Sequence, residues 1–190
     1  MSTAGATVAA RLVSPSEEAT RRIGALLGGL VEPGDVVLLS GELGAGKTTL
    51  VQGLVAALGA STRATSPTFA LCHLYDSDPV VAHVDCWRLD QLAEVADLAL
   101  EEVLDDGGVA VVEWGEAAAP LLGDAALIVT LSVPPGAPGP GGGGPGGERL
   151  VELADPGGGW RARIARLAEL WADELAAPRG RPEAGRAEGP

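Results

Sequence analysis

The sequence predicts an α/β fold: a mostly parallel sheet flanked by helices, ending in a C-terminal strand pair and helix. Two observations carry this. Short apolar runs at 36–40, 80–85 and 109–113 have the character of strands buried on both faces. Segments with helical spacing or helix caps lie between and after them. The composition fits, because 46% of the 190 residues are hydrophobic but only 3% are aromatic. The core must therefore be Val, Leu, Ile and Ala. One domain is expected over residues 1–176, with a Gly/Pro-rich insert at 134–147 and a disordered tail at 177–190.

Ser14-Pro15-Ser16-Glu17 has the features of a helix start. Ser14 caps, Pro15 suits the first helical position, and Glu17 completes a capping box. Ile23, Leu26, Leu27 and Leu30 form the apolar stripe of that helix. Glu32-Pro33-Gly34-Asp35 is a turn. The run at 36–40 is a strand, 41–46 a glycine-rich loop, and 47–58 a helix stopped by Gly59. A loop with Thr65-Ser66-Pro67-Thr68 leads to a strand at 69–75. Asp76-Ser77-Asp78-Pro79 then turns the chain into the strand at 80–85. Asp90 caps a helix through Leu92, Val95 and Leu98 toward Leu104, and 105–108 breaks it. Further strands are expected at 109–113, 126–133 and 149–153. Trp160, Ile164, Leu167, Trp171 and Leu175 recur at helical spacing, as in a helix docked on the sheet. The insert has nothing with which to pack a core and reads as an inert, mobile spacer.

Charge narrows the function. Asp and Glu number 26 against 13 Lys and Arg, a net charge of −13. Such a surface repels phosphate backbones, so strong direct nucleic-acid binding requires a partner that carries the positive charge. No apolar stretch approaches the ~18 residues of a membrane span. Residues 1–13 carry one charge, Arg11, and no apolar core of a secretory signal. Cys72 and Cys86 are too few for a disulfide framework or a zinc site and read as free, mostly buried thiols. A cytoplasmic protein without membrane association is expected.

The chemistry starts at Gly41-Glu42-Leu43-Gly44-Ala45-Gly46-Lys47-Thr48, which fits G-x-x-x-x-G-K-[ST] with a buried strand before it and a helix after it. Glycines let successive N–H groups converge on one anion. The helix adds its positive end. Lys47 is suited to the β- and γ-phosphates, and the Thr48 hydroxyl to Mg²⁺. Lys47 is the only lysine in a chain that otherwise uses arginine. A compact ammonium has been kept where phosphate oxygens need one. The nucleotide-binding candidates are Gly41, Leu43, Gly44, Ala45, Gly46, Lys47, Thr48 and Thr49, with ATP and Mg²⁺ as cofactors. The sheet is accordingly expected to be of the P-loop NTPase type.

A triphosphate site also needs acids. Asp85 and Glu113 each end an apolar strand, on the sheet edge where the phosphate loop sits. One ligates Mg²⁺, directly or through water, and the other polarises the attacking water; either could take either role. Asp85, Lys47 and Glu113 are the catalytic candidates, and Thr48, Glu113 and Asp85 the metal candidates. His73 and His83 lie in strands and read as hydrogen-bonded core or surface groups. Trp87 and Trp114 follow the two acids and read as packing, or as a shield for the site.

Four motifs now stand in a recognisable order: the phosphate loop at 41–49, Ser-Pro-Thr-Phe at 66–69, His-Val-Asp-Cys-Trp-Arg-Leu at 83–89 and Val-Glu-Trp-Gly-Glu at 112–116. Together they resemble the bacterial tRNA threonylcarbamoyladenosine biosynthesis ATPase family, the TsaE or YjeE type, over about residues 14–133. The resemblance implies a small P-loop ATPase working with two partner proteins, of TsaD and TsaB type. That complex makes N6-threonylcarbamoyladenosine at position 37 of tRNAs reading codons that begin with A, so tRNA contact is indirect. It further implies that Thr48 and Glu113 hold Mg²⁺ and that Asp85 lies near the γ-phosphate. Ser66 and Thr68 belong to a nucleotide-sensing loop, and Glu17 lies near the base. Trp87 stands where the family usually has Tyr, and Gly115 where Pro is common. The insert and the segment after Trp160 read as lineage-specific additions.

Two other classes compete. A small-molecule kinase needs a cation-rich lid, and between Ala64 and Glu148 the only basic residue besides histidine is Arg88. An ATP-dependent assembly switch without catalysis would use the same residues. Phosphate release with and without partners separates it from an ATPase.

Overall fold

The computed structural model describes residues 7–65, 67, 71–87, 100–115, 125–134 and 147–177. In chain order the elements are β1 (Val8–Ser14), α1 (Glu17–Gly28), β2 (Val36–Ser40), α2 (Lys47–Ala57), β3 (Cys72–Tyr75), β4 (Val81–Asp85), α3 (Leu100–Asp105), β5 (Val109–Glu113), β6 (Leu127–Ser132), β7 (Arg149–Ala154) and α4 (Arg161–Ala176). Ser66, Thr68, Phe69, Arg88, the helix start at Asp90 with Leu92, Val95 and Leu98, the insert between Pro134 and Gly147, and residues 178–190 lie outside the described residues.

Seven strands form one sheet in the order β1-β7-β6-β2-β5-β4-β3. The central four, β6, β2, β5 and β4, are parallel. The outer strands β3, β7 and β1 pair antiparallel. The fold is the α/β type expected, with parallel strands at its centre, helices on its faces and the C-terminal strand pair and helix in place. Strands β2, β4 and β5 are buried along their whole length, as continuous apolar runs in a doubly covered sheet must be.

Alternation divides the core into two layers. Val37, Leu39, Val81, Val109 and Val111 face the layer that holds residues of α1, α2 and α4. Val36, Leu38, Ala82, Val84, Ala110 and Val112 face the other, with Leu100 and Val103 of α3. Helices α1 and α2 touch closely because glycines face each other's backbones. A Cβ on Gly24 would lie 2.0 Å from Leu50 O, and one on Gly53 would lie 1.8 Å from Arg21 O.

Several boundaries differ from expectation. Strand β1 has no counterpart in the sequence reading. Ser14 is its last residue, paired with Arg149, so its backbone belongs to a ladder and it cannot cap α1. Ser16, extended at φ −160, takes that role and accepts the Ala19 N–H at 3.1 Å. Glu17 becomes the first helical residue and pairs with Arg21 at 2.6 Å instead of closing a capping box. Leu30 lies beyond the end of α1, and the strand expected at 69–75 runs from Cys72. On α4, Trp160, Ile164, Leu167 and Trp171 enter the core, whereas Leu175 is exposed. Among the described residues neither cysteine forms a disulfide, and burial pushes the Cys72 thiol above its usual range. Among the described residues no helix is long and apolar enough to cross a membrane.

Candidate functional site

Strand β2 ends at Ser40, and the chain must reverse sharply to start α2. Gly41, Gly44 and Gly46 achieve this with φ of 137, 78 and 107, a region open mainly to glycine. Gly41 has a second constraint, since a Cβ there would lie 2.2 Å from Leu131 O of β6. Gly46 is the N-cap of α2 and offers no side-chain acceptor, and the first turn of α2 carries no acid. The leading N–H groups of an 11-residue helix therefore have no side-chain cap. Together with the helix dipole, that is an anion cradle.

Lys47 and Thr48 open α2. The Lys47 side chain is 5% exposed. Its ammonium donates to Gly41 O at 2.7 Å and Glu42 O at 3.1 Å, and lies 3.7 Å from the centroid of the Trp114 ring. The Thr48 hydroxyl donates to Glu113 Oε1 at 2.7 Å.

The acids arrive by register. Asp85 is directly opposite Glu113 at the ends of β4 and β5. Both follow the odd-numbered alternation that points toward α2, so two strands and one helix deliver three oxygen-bearing side chains to one edge. Asp85 Oδ1 accepts the Trp87 N–H at 3.0 Å. His83 Nε2 lies 2.9 Å from Glu113 Oε1, the oxygen that Thr48 also engages.

A cavity of about 440 Å³ opens here, bounded by Gly46, Lys47, Thr48, Asp85, Glu113 and Trp114. The rings of Trp87 and Trp114 pack at its rim with centroids 4.3 Å apart, and Trp87 is half exposed. Trp114 adopts φ 58, an uncommon left-handed conformation for a bulky residue. Gly115 follows because β2 is close. Its N–H donates to Leu39 O at 3.1 Å, and a Cβ would lie 2.7 Å from Leu38 Cβ. Proline would lose the first contact and clash in the second.

On the other side of the loop a second, smaller cavity of about 110 Å³ is bounded by Glu17, Thr20, Gly44, Thr49 and Arg149. Arg149 braces the loop, its Nε donating to Ala45 O at 3.2 Å.

The structure thus brings together Gly41, Gly44, Gly46, Lys47, Thr48, Thr49, Asp85 and Glu113. It places Ala45 buried within the loop and Leu43 exposed at its tip. Glu17 stands on the far side. Ser66 and Thr68 are not among the described residues. Sequence reasoning missed Arg149, noted only as a strand start, and the contact of His83 with Glu113. The usable signals were an arginine two residues after the end of the Gly/Pro run and a histidine two residues before an acid on the same strand face.

The donor set fits a nucleotide with Mg²⁺. Among the described residues no three His, Cys, Asp or Glu side chains converge to hold a metal alone. Mg²⁺ typically takes one or two carboxylates and completes its shell with phosphate and water. The hydroxyl of Thr48 and the carboxylate of Glu113, at the mouth of an uncapped helix, are that partial set.

The sequence matches the family "Threonylcarbamoyl adenosine biosynthesis protein TsaE" over residues 14–134. A Treponema pallidum protein named tRNA threonylcarbamoyladenosine biosynthesis protein TsaE is 41% identical over 123 residues, covering 65% of this chain and 91% of that one. The Streptomyces coelicolor protein of that name is 49% identical over 100 residues, 50% of this chain and 67% of that one. Among solved structures, the crystal structure of Bacillus subtilis YdiB superposes with a TM-score of 0.62 at 26% identity, covering 87% of this chain and 95% of that one. The first 160 residues alone fall short of that share. At least the start of α4 therefore has a counterpart there, which corrects the expectation that everything after Trp160 is a lineage-specific addition.

Proposed function

The chain belongs to the TsaE family of threonylcarbamoyl adenosine biosynthesis proteins, and from that premise we propose that it is a cytoplasmic P-loop ATPase serving tRNA modification. It acts with two partners, of TsaD and TsaB type, in the complex that forms N6-threonylcarbamoyladenosine at position 37 of tRNAs reading codons that begin with A. One observation carries the ATPase reading: Thr48 and Glu113 meet at 2.7 Å at the start of α2, beside the buried Lys47.

The roles follow from chemistry. Bound Mg²⁺ offsets the charge that develops on the transferring phosphoryl group. Thr48 and Glu113 would hold that ion, with Asp85 as the second carboxylate beside them. The N–H groups of the loop and of the first turn of α2 hold phosphate oxygens. Lys47 exchanges its two carbonyl acceptors for phosphate oxygens, a stronger charge-assisted contact. Asp85 orients the attacking water. The smaller cavity beside Glu17 faces the base. Trp87 and Trp114 limit water at the rim.

Calorimetric titration with Mg²⁺ and ATP tests binding. The wild-type chain binds, and folded Lys47→Ala loses most of its affinity; unchanged affinity would overturn the reading. Phosphate release tests the enzyme. Among the described residues no arginine lines the larger cavity, and a missing arginine finger costs roughly 10³–10⁵ in rate. Turnover is therefore slow alone and rises when the two partners are added. If binding persists without any partner-stimulated release, the protein is an assembly switch and not an ATPase.

A further inference from the structure

His83 sits in the middle of β4 and is completely buried. Of the strand neighbours that share its face, Val81, Val109 and Val111 are apolar, whereas the paired His73, Asp85 and Glu113 are polar. An imidazole there carries a desolvation cost that another valine or leucine would avoid. Its Nε2 lies 2.9 Å from Glu113 Oε1. An ionised carboxylate only accepts, so Nε2 carries the proton and donates. Nδ1 has no hydrogen-bond partner. The polar chemistry of this ring is directed at one atom, Glu113 Oε1.

The ring is also held in place. Tyr75 packs beside it, with centroids 6.2 Å apart. The Tyr75 hydroxyl is fixed in turn, accepting the Thr65 N–H at 3.2 Å. Thr48 is the second donor to Glu113 Oε1. It is the weaker anchor when it matters, because its hydroxyl must also serve the cation once the site is loaded. His83 has no such second duty.

We propose that His83 is a positioning residue for Glu113: its Nε2–H fixes one carboxylate oxygen, so that the other is presented to Mg²⁺. The proposal rests on the reading that Glu113 holds the ion. Outer partners of metal-binding carboxylates act this way, and losing one typically costs about 10–100-fold in metal affinity or activity.

The test is a Mg²⁺ titration of ADP binding, followed by calorimetry, so that no turnover is needed. The variants are His83→Leu, His83→Gln and Glu113→Gln. His83→Leu fills the space without a donor and raises the Mg²⁺ midpoint about tenfold or more. Affinity for ADP in EDTA stays at the wild-type value. His83→Gln places an amide N–H near the position of Nε2 and restores most of the loss. If His83→Leu does not fold, as judged by thermal unfolding, His83→Phe replaces it and is read in the same way. A wild-type midpoint in the apolar variant overturns the proposal. So does an equal shift in the leucine and glutamine variants, or a loss of ADP affinity in EDTA with unchanged Mg²⁺ dependence. Glu113→Gln separates the two levels. If it shifts the midpoint and His83→Leu does not, only the role of His83 fails. If it leaves the midpoint unchanged, the metal reading of Glu113 fails and takes the proposal with it.

Discussion

Gly41 and Gly46 both have left-handed backbone, yet they are glycines for different reasons. At Gly41 a Cβ would press on Leu131 O at 2.2 Å, whereas at Gly46 the nearest atom to a Cβ is a Thr20 methyl at 3.6 Å. Gly41→Ala therefore adds a backbone clash to dihedral strain and should cost at least about 2 kcal/mol. Gly46→Ala meets strain alone and should cost about 1 kcal/mol. Urea unfolding of the two variants checks the order; equal losses would mean that β6 does not constrain the loop. The same contrast explains what was legible in the sequence. Lys47 and Thr48 are recognisable because the loop motif is local, with every spacing fixed by one turn. Asp85 and Glu113 are recognisable because each ends a buried run, and strand ends share an edge. Arg149 is not recognisable. It reaches Ala45 only because β7 pairs with β6, which pairs with β2, and no local pattern encodes that path. His83 reads from the sequence as a hydrogen-bonded core or surface group, but its partner Glu113 is a diagonal neighbour set by register.

Elements differ in legibility for a related reason. Strands β2, β4 and β5 announce themselves because both faces are covered and every position is apolar. Strand β1 does not. It is an edge strand with only Leu12 and Ser14 buried, so no run or alternation stands out over Val8–Ser14. Missing it also displaced the helix cap to Ser14. Helix α4 was legible from its stripe, but its importance was not. It anchors β1: Trp171 is 4% exposed, and its indole N–H donates to Val13 O at 3.1 Å. Arg163 ties the other end, lying over the Trp160 ring and forming an ion pair with Asp35 just before β2. Trp171→Ala leaves a cavity and an unpaired carbonyl in this seam. It should destabilise the chain by about 3–5 kcal/mol, read from denaturant midpoints at constant slope. A loss below about 1 kcal/mol would show that α4 is an appendage and not part of the core.

At the scale of the whole molecule the charge decides what this protein can touch directly. The net charge is −13, and the described cations are mostly engaged. Arg11, Arg21, Arg22, Arg163 and Arg166 each lie in an ion pair with an acid of the same chain. Lys47 is buried in the loop, and Arg149 is turned onto the Ala45 carbonyl. Among the described residues few positive groups remain to displace counterions from an RNA backbone, and the net negative charge repels it. Binding driven by phosphate contacts would also show itself in a steep loss of affinity with salt, since each neutralised phosphate adds to the slope. The isolated chain should therefore form no micromolar complex with tRNA at physiological salt, and any residual binding should vary little between low and moderate salt. Filter binding or fluorescence anisotropy across a salt series measures both. A micromolar, steeply salt-dependent complex would show that the chain presents a phosphate-binding surface of its own. It would then have to be placed on the RNA side of the modification assembly. Without such a complex, the proposed arrangement stands, in which partner proteins hold the tRNA and this chain supplies the nucleotide site.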